Sequence, residues 1–193
     1  MPSEVNRAAV ERRTNRLLDE YGDVPVEKRT QEQPAAKFEE LVGYARDGYT
    51  GSAYAWVVRR PDDAAPLSDS MSDEAFDDRS RALMILNRGA DSWGLPGGGR
   101  EDGETSEEAA VREVEEETDV RCELAEPFLL RKLTVVPEND DEKRLHLLFV
   151  FFDADYLGGE IAIQGGELNG AAWFAEPPSR MLPANELRAD DWF

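Results

Sequence analysis

Apolar positions recur at helical spacing twice near the start of the chain. In "EVNRAAVERRTNRLLDEY", Val5, Ala9, Leu17 and Leu18 share one stripe, and "AAKFEELVGYA" repeats the pattern. Helices are therefore expected over residues 3–20 and 35–46. Between them "GDVPVEKRTQEQP" has the composition of a loop. The pattern then shortens. "GSAYAWVVRR" from Gly51 and "RALMILNR" from Arg81 are aliphatic and aromatic runs of strand length. The acidic, Pro- and Ser-bearing stretch between them, residues 61–80, reads as a loop, and a lid is the alternative. Further on, "PFLLRKLTVV", "RLHLLFVFFDADY", "EIAIQ" and "AAWFA" are strand-like, and "SRMLPANELRADDWF" ends in a helical pattern. Strands on both sides of one strong helix, over residues 105–118, predict an α/β domain with a mixed sheet.

That helix has a definite start. Thr105 stands three residues before Glu108, the spacing of a capping box. At about 100° per residue, Ala110, Val111, Val114 and Thr118 form a core-facing stripe, with Glu113, Glu116 and Glu117 gathered beside it. Like charges at i, i+3 and i+4 each cost about 0.2–0.5 kcal/mol, so the patch calls for a countercharge. Arg112 lies four residues before Glu116 and four after Glu108, yet one guanidinium cannot neutralise three carboxylates. A hard divalent cation can, and an all-oxygen donor set suits Mg²⁺ or Mn²⁺. A glutamate-rich helix is ordinarily a solvated face. The preceding "SWGLPGGGREDGE" changes that reading, because its three consecutive glycines, Gly97, Gly98 and Gly99, let the backbone approach a ligand closely.

Charge and composition narrow the partners. Forty-two acids against 22 bases in 193 residues give a formal charge of −20, which argues against polymeric nucleic acid and anionic lipid. It fits a protein adapted to concentrated salt, where self-repulsion is screened, and an ordinary acidic cytosolic protein is the alternative. The start lacks a signal-peptide core and no window approaches a membrane span, so a cytoplasmic location is expected. The single Cys122 and single His146 read as a packed thiol and a strand histidine rather than as nucleophile or metal ligand.

The run from Gly98 to Val120 resembles the signature box of Nudix hydrolases. Gly98, Glu104, Arg112, Glu113, Val114, Glu116, Glu117 and Val120 fall in register with it, and Asp119 replaces the usual glycine. Asp tolerates the left-handed conformation expected at that helix end. "WGLPGG" before the box and "AAWFAEPP" near the end are also similar to the family. The resemblance spans roughly residues 50–180. It implies an α/β/α sandwich with a mixed sheet over residues 49–193, after an N-terminal helical extension over residues 1–48.

By the same resemblance the chain would be a divalent-metal-dependent hydrolase of the diphosphate linkage in a nucleoside diphosphate derivative. The reading leans to ADP-ribose-like compounds, with damaged nucleoside triphosphates open. Glu113, Glu116 and Glu117 would be the metal ligands, and Glu104 and Arg112 would brace the site as an ion pair. Gly97, Gly98 and Gly99 would form the turn beside the diphosphate, flanked by Arg88 and Arg100 as phosphate contacts. The general base comes from the box or from a later loop, where Glu167 is the candidate. A homodimer is compatible with the family. The alternative is a non-catalytic Nudix-like module that binds a nucleotide and signals through the N-terminal helices.

Overall fold

The computed structural model describes residues 4–63, 79–101, 103–140, 142–163 and 165–182, together with 185 and 188. The expected C-terminal helix and most of the acidic 61–80 stretch lie outside the described residues. Among the described residues the α-helices and strands follow one another as β1 (Glu4–Val5), α1 (Arg7–Tyr21), β2 (Val26–Gln33), α2 (Ala35–Arg46), β3 (Ser52–Arg59), β4 (Arg81–Asn87), β5 (Gly97–Gly99), α3 (Ser106–Thr118), β6 (Arg121–Pro137), β7 (Arg144–Gly158) and β8 (Leu168–Phe174). The strand order is β2-β6-β7-β3-β4-β8, with β1 beside β7 and β5 beside β3. Pairs β1–β7 and β2–β6 are parallel, whereas β3–β4 and β4–β8 are antiparallel. The expected mixed α/β architecture is thus present.

The chain divides into two compact units. The first takes Met1–Tyr54, Gly98–Ala110 and Glu126–Phe152. Its core sets Phe38, Val42 and Ala45, one stripe of α2 at i, i+4 and i+7, against Val135, Leu145 and Leu147. Helix α1 buries Val10, Thr14 and Leu17. It begins at Arg7 rather than residue 3, because Asn6 takes a left-handed φ of 63° and donates from its side chain to the Tyr49 carbonyl, 3.0 Å away. Val5, expected on the helical stripe, instead lies on β1 opposite Leu145.

The segment expected as a loop between the two helices is strand β2. It pairs in parallel with β6, Val26 opposite Leu130 through Gln33 opposite Pro137. Its side chains are exposed or only partly buried along its length. Backbone hydrogen bonds hold it, so no apolar alternation marks it in the sequence.

The second unit takes Ala55–Gly97, Val111–Ala125 and Asp153–Phe193. Its core joins Ala55, Val57, Leu83, Val114, Val120, Cys122 and Ala154. Helix α3 ends as expected: Asp119 adopts φ 59° and its N–H donates to the Glu115 carbonyl at 2.8 Å. The run "EIAIQ" is not a strand over its described residues, 160–163. Gly159, at φ 94°, abuts the Asp119 carbonyl, and the Ala162 N–H donates to the Thr118 carbonyl at 2.9 Å. The end of α3 thus captures this run, and Ile161 packs on the second core.

Glycine is required at one close approach in the first unit. Gly51 has φ 123°, and a Cβ there would stand 1.9 Å from the Leu148 carbonyl oxygen. Gly51→Ala should lower the unfolding free energy by more than about 2 kcal/mol, read as a lower urea midpoint. Gly43→Ala, inside α2 with nothing within 4 Å of the added Cβ, should instead raise stability by about 0.5 kcal/mol.

Candidate active site

Within the second unit the chemistry gathers on the later turns of α3. Val114 and Thr118 are fully buried on its inner face, and Glu117 lies between them, only 8% exposed. A carboxylate there needs a donor. Gly97 provides one, its N–H donating to Glu117 Oε2 at 2.9 Å. Gly97 can aim that N–H because it sits at φ 143°, a conformation open mainly to glycine.

Burial pushes the Glu117 carboxyl up to about 7; the Gly97 N–H opposes the rise, and the charges of Glu113 and Glu167 add to it. Glu113 is raised as well, again chiefly by burial, against the pull of Arg112 and with the help of Glu116 and Glu167. Arg112 Nη1 reaches Glu113 Oε1 at 2.9 Å and Glu116 Oε2 at 2.8 Å. The i, i+4 pair anticipated for Arg112 is therefore made, and it holds Glu116 on the outer side of the helix, where its side chain is 54% exposed.

This arrangement bears directly on the metal expectation. Among the described residues no three His, Cys, Asp or Glu side chains stand close enough to hold a metal ion. The donors that are assembled nevertheless suit a hard cation. Glu113 and Glu117 are two carboxylates on one helix face, both raised chiefly by burial, which a bound cation would offset.

The loop before β8 brings Glu167 to the same electrostatic neighbourhood. Arg88 secures that loop: its N–H donates to the Glu167 carbonyl at 2.8 Å, and Nη2 to the Gly165 carbonyl at 2.6 Å. The Arg88 guanidinium thus serves the Glu167 loop, a role its position ahead of the glycines did not suggest.

Other residues singled out in the sequence belong to the first unit. Gly98 and Gly99 lie with Gly97 in the short strand β5. The Arg100 N–H donates to the Gly51 carbonyl at 3.2 Å. Its Nη1 donates to the carbonyls of Glu101 (2.7 Å) and Glu104 (2.8 Å), and its Nε to Thr50 Oγ1 (3.3 Å). The Glu104 carboxylate accepts the Glu101 N–H at 2.9 Å, closing the loop on itself. The capping box forms, with Thr105 N–H to Glu108 Oε2 at 2.8 Å and Glu108 N–H to Thr105 Oγ1 at 3.1 Å.

Two supporting residues of the first unit escaped the sequence reading. Arg13 Nη1 donates to Thr50 Oγ1 at 2.7 Å, and Nη2 to Ser106 Oγ at 2.9 Å. Burial, with Arg100 and Arg16 nearby, lowers the Arg13 guanidinium to about 10. Arg16 Nη2 grips both oxygens of Glu107, at 2.9 and 2.7 Å. In sequence they are two arginines three apart on an amphipathic helix, which reads as a solvated face. Cys122 is buried and its thiol pushed up to about 11, which suits packing and not nucleophilic attack. His146 Nε2 meets Glu4 Oε2 at 2.6 Å, tying β7 to β1.

The fold is mixed α/β, and its capped, glutamate-bearing helix α3 follows the glycine strand β5. Comparison adds the family: the NUDIX domain model matches residues 75–189, and the chain belongs to the Nudix family. Over 106 residues it is 36% identical to the "Putative mutator protein MutT4" of Mycobacterium tuberculosis, covering 54% of this chain and 42% of that protein. The chain thus spans less than half the length of that relative. It is 29% identical over 119 residues to the "Putative 8-oxo-dGTP diphosphatase" of Bacillus subtilis, covering 61% and 74% of the two chains. The crystal structure of a MutT NUDIX hydrolase from Burkholderia pseudomallei shares the fold, with a TM-score of 0.50 and 20% identity over 73% of this chain and 95% of that one. No described helix is long and apolar enough to cross a membrane.

A carboxyl raised in the folded state holds its proton while the unfolded chain has lost its own. Stability attributable to Glu117 is therefore full below the ordinary carboxylate range and falls as pH climbs towards about 7, by at most about 1.4 kcal/mol per pH unit. In chelator, Glu117→Gln should gain stability relative to wild type between about pH 5 and 7, measured by urea unfolding across that range. A difference independent of pH would refute the assignment.

Proposed function

We propose that this chain is a divalent-cation-dependent hydrolase that cleaves the diphosphate linkage of a nucleoside diphosphate derivative. The observation that carries the reading is Glu117: a buried carboxylate, oriented by the Gly97 N–H and kept partly protonated by burial and by neighbouring acids. A carboxylate built into a core face at such cost fits a cation-holding role better than a solvated one.

Glu113 and Glu117 would hold the cation, with Glu116 joining them on exchanging Arg112 for it. Mg²⁺ is the first choice and Mn²⁺ the second, since both accept oxygen donors. Bound there, the ion would neutralise phosphate oxygens and activate a water. Glu167 would accept that water's proton, its loop held by Arg88. Gly97 would keep Glu117 in its inward orientation, while Gly98 and Gly99 would line the diphosphate with bare backbone and Arg100 would flank it. The sequence-based brace between Glu104 and Arg112 forms part of this reading. ADP-ribose-like diphosphates lead the substrate classes, followed by damaged nucleoside triphosphates; a relative from Methanocaldococcus jannaschii, 41% identical over 69 residues that make up 36% of this chain and 38% of that one, carries the name "ADP-ribose pyrophosphatase". With a charge of −20, activity should persist or rise at high salt, as in a salt-adapted cytoplasmic enzyme.

The test is product release from a panel of ADP-ribose, nucleotide sugars, dinucleoside polyphosphates and 8-oxo-dGTP. It is run with Mg²⁺, Mn²⁺ or EDTA, at low and high KCl. Cleavage should require the metal, and Glu117→Gln should lower kcat by at least about 100-fold. If no compound is cleaved at either salt concentration, the non-catalytic nucleotide-binding module replaces this proposal.

A further inference from the structure

Strand β2 of the first unit stands at the end of the strand order, with β6 as its one neighbour there. The Pro25 carbonyl accepts the Leu130 N–H at 2.9 Å, and the Gln33 carbonyl accepts the Glu138 N–H at 3.0 Å. In a parallel ladder alternate residues of a strand bond to its partner. Glu27, Arg29, Gln31 and Gln33 therefore turn their N–H and C=O groups to β6, and Val26, Lys28, Thr30 and Glu32 turn theirs outward. Among the described residues none of these outward groups has a hydrogen-bond partner. All four of the residues that carry them are exposed.

Proteins ordinarily blunt such an edge by shortening it, bulging it, or placing proline or charge on it. Strand β2 is 8 residues long, its register with β6 is unbroken from Val26 to Gln33, and Pro25 and Pro34 flank it without interrupting it. Charge alone is left to guard the edge, and in a chain of net charge −20 this strand carries two acids and two bases. Glu27 is already engaged, accepting from Arg29 Nε at 2.6 Å and from Arg131. Lys28 and Glu32, two pleats apart on the opposite face, form no ion pair among the described residues.

That pattern is complementary to itself in one register. Two copies of β2 related by a two-fold axis run antiparallel, and outward groups meet outward groups only when the axis passes through a residue. With the axis at Lys28 or Arg29 a cation meets its own copy, and at Glu27 or Glu32 an acid does. At Gln31 no opposite charges meet, and axes at Val26 or Gln33 overlap the strand ends alone. With the axis at Thr30, Lys28 of each copy faces Glu32 of the other, Arg29 faces Gln31, and Glu27 faces Gln33. Lys28, Thr30 and Glu32 then exchange backbone hydrogen bonds across the axis, with a favourable threonine pair at the centre.

We infer that β2 is a self-association edge, to which a second copy of this chain adds antiparallel across Thr30 with its register set by reciprocal Lys28–Glu32 pairs. Lys28 deters an unrelated strand, and Glu32 of the second copy neutralises it. The inference does not depend on the hydrolase reading.

Two chains of charge −20 repel one another, so association is measured at about 1 M KCl, where the screening length is about 3 Å and groups in contact are affected least. Sedimentation equilibrium is run on the full chain and its variants. Wild type should form dimers. Lys28→Glu and Glu32→Lys each set like charges opposite one another on both sides of the axis, and each should weaken the dimer at least about tenfold. An equimolar mixture of these two variants should regain wild-type association, as should the double variant. Thr30→Pro removes an outward N–H and leaves the β6 ladder untouched, so it should give monomers with a wild-type urea midpoint. The inference is overturned if wild type stays monomeric, its edge then being solvated or kept for another protein's strand. It is also overturned if the dimer survives the single charge changes, which places the interface elsewhere, or if the mixture associates no better than its components. The charge variants decide the matter even where Thr30→Pro lowers the urea midpoint.

Discussion

The hydrogen bond from the Gly97 N–H to the Glu117 carboxylate constrains everything around it. Glu117 lies on α3 beside Val114 and Thr118, both fully buried, and is itself only 8% exposed. A carboxylate is tolerated there only with a donor aimed at it, and only a residue able to adopt φ 143° aims this one. Burial of Glu117 raises its carboxyl, and the Gly97 N–H that orients it partly offsets that rise. Glu113 shares the helix face and the shift, while Arg112 takes Glu116 outward.

The N-terminal helices are more than an appendage in chemical terms. Helix α2 gives Phe38, Val42 and Ala45 to the core of the first unit, and α1 sends Arg13 and Arg16 to Ser106 and Glu107 at the start of α3. The first turn of α3 is thus held by its own capping box and by two guanidiniums from elsewhere in the same unit. In a chain with a charge of −20, such arginines offset acids that would otherwise repel one another at close range.

Much of this was legible beforehand where the signal is local. The capping box at Thr105 and Glu108, the helix stop at Asp119, the Arg112–Glu116 pair and the burial of Cys122 all follow from spacings of four residues or fewer, or from residue type. Strand β2 was missed because "VEKRTQEQ" is held by backbone pairing at an exposed edge. The run "EIAIQ" misled in the opposite direction: its alternation is real, but the end of α3 claims its backbone through Thr118 and Asp119.

What the sequence by itself determined is the family, the capped helix and the carboxylates it carries, since these depend on fixed intervals along one chain. Tertiary structure decided which carboxylate is buried, that Arg88 serves the Glu167 loop, and that Arg13 reaches Thr50. These outcomes depend on desolvation and on donors tens of residues away in sequence, and a linear pattern records neither. Helical periodicity could put Glu113, Glu116 and Glu117 on one side of α3; only packing could draw Glu117 inward and leave Glu116 outside.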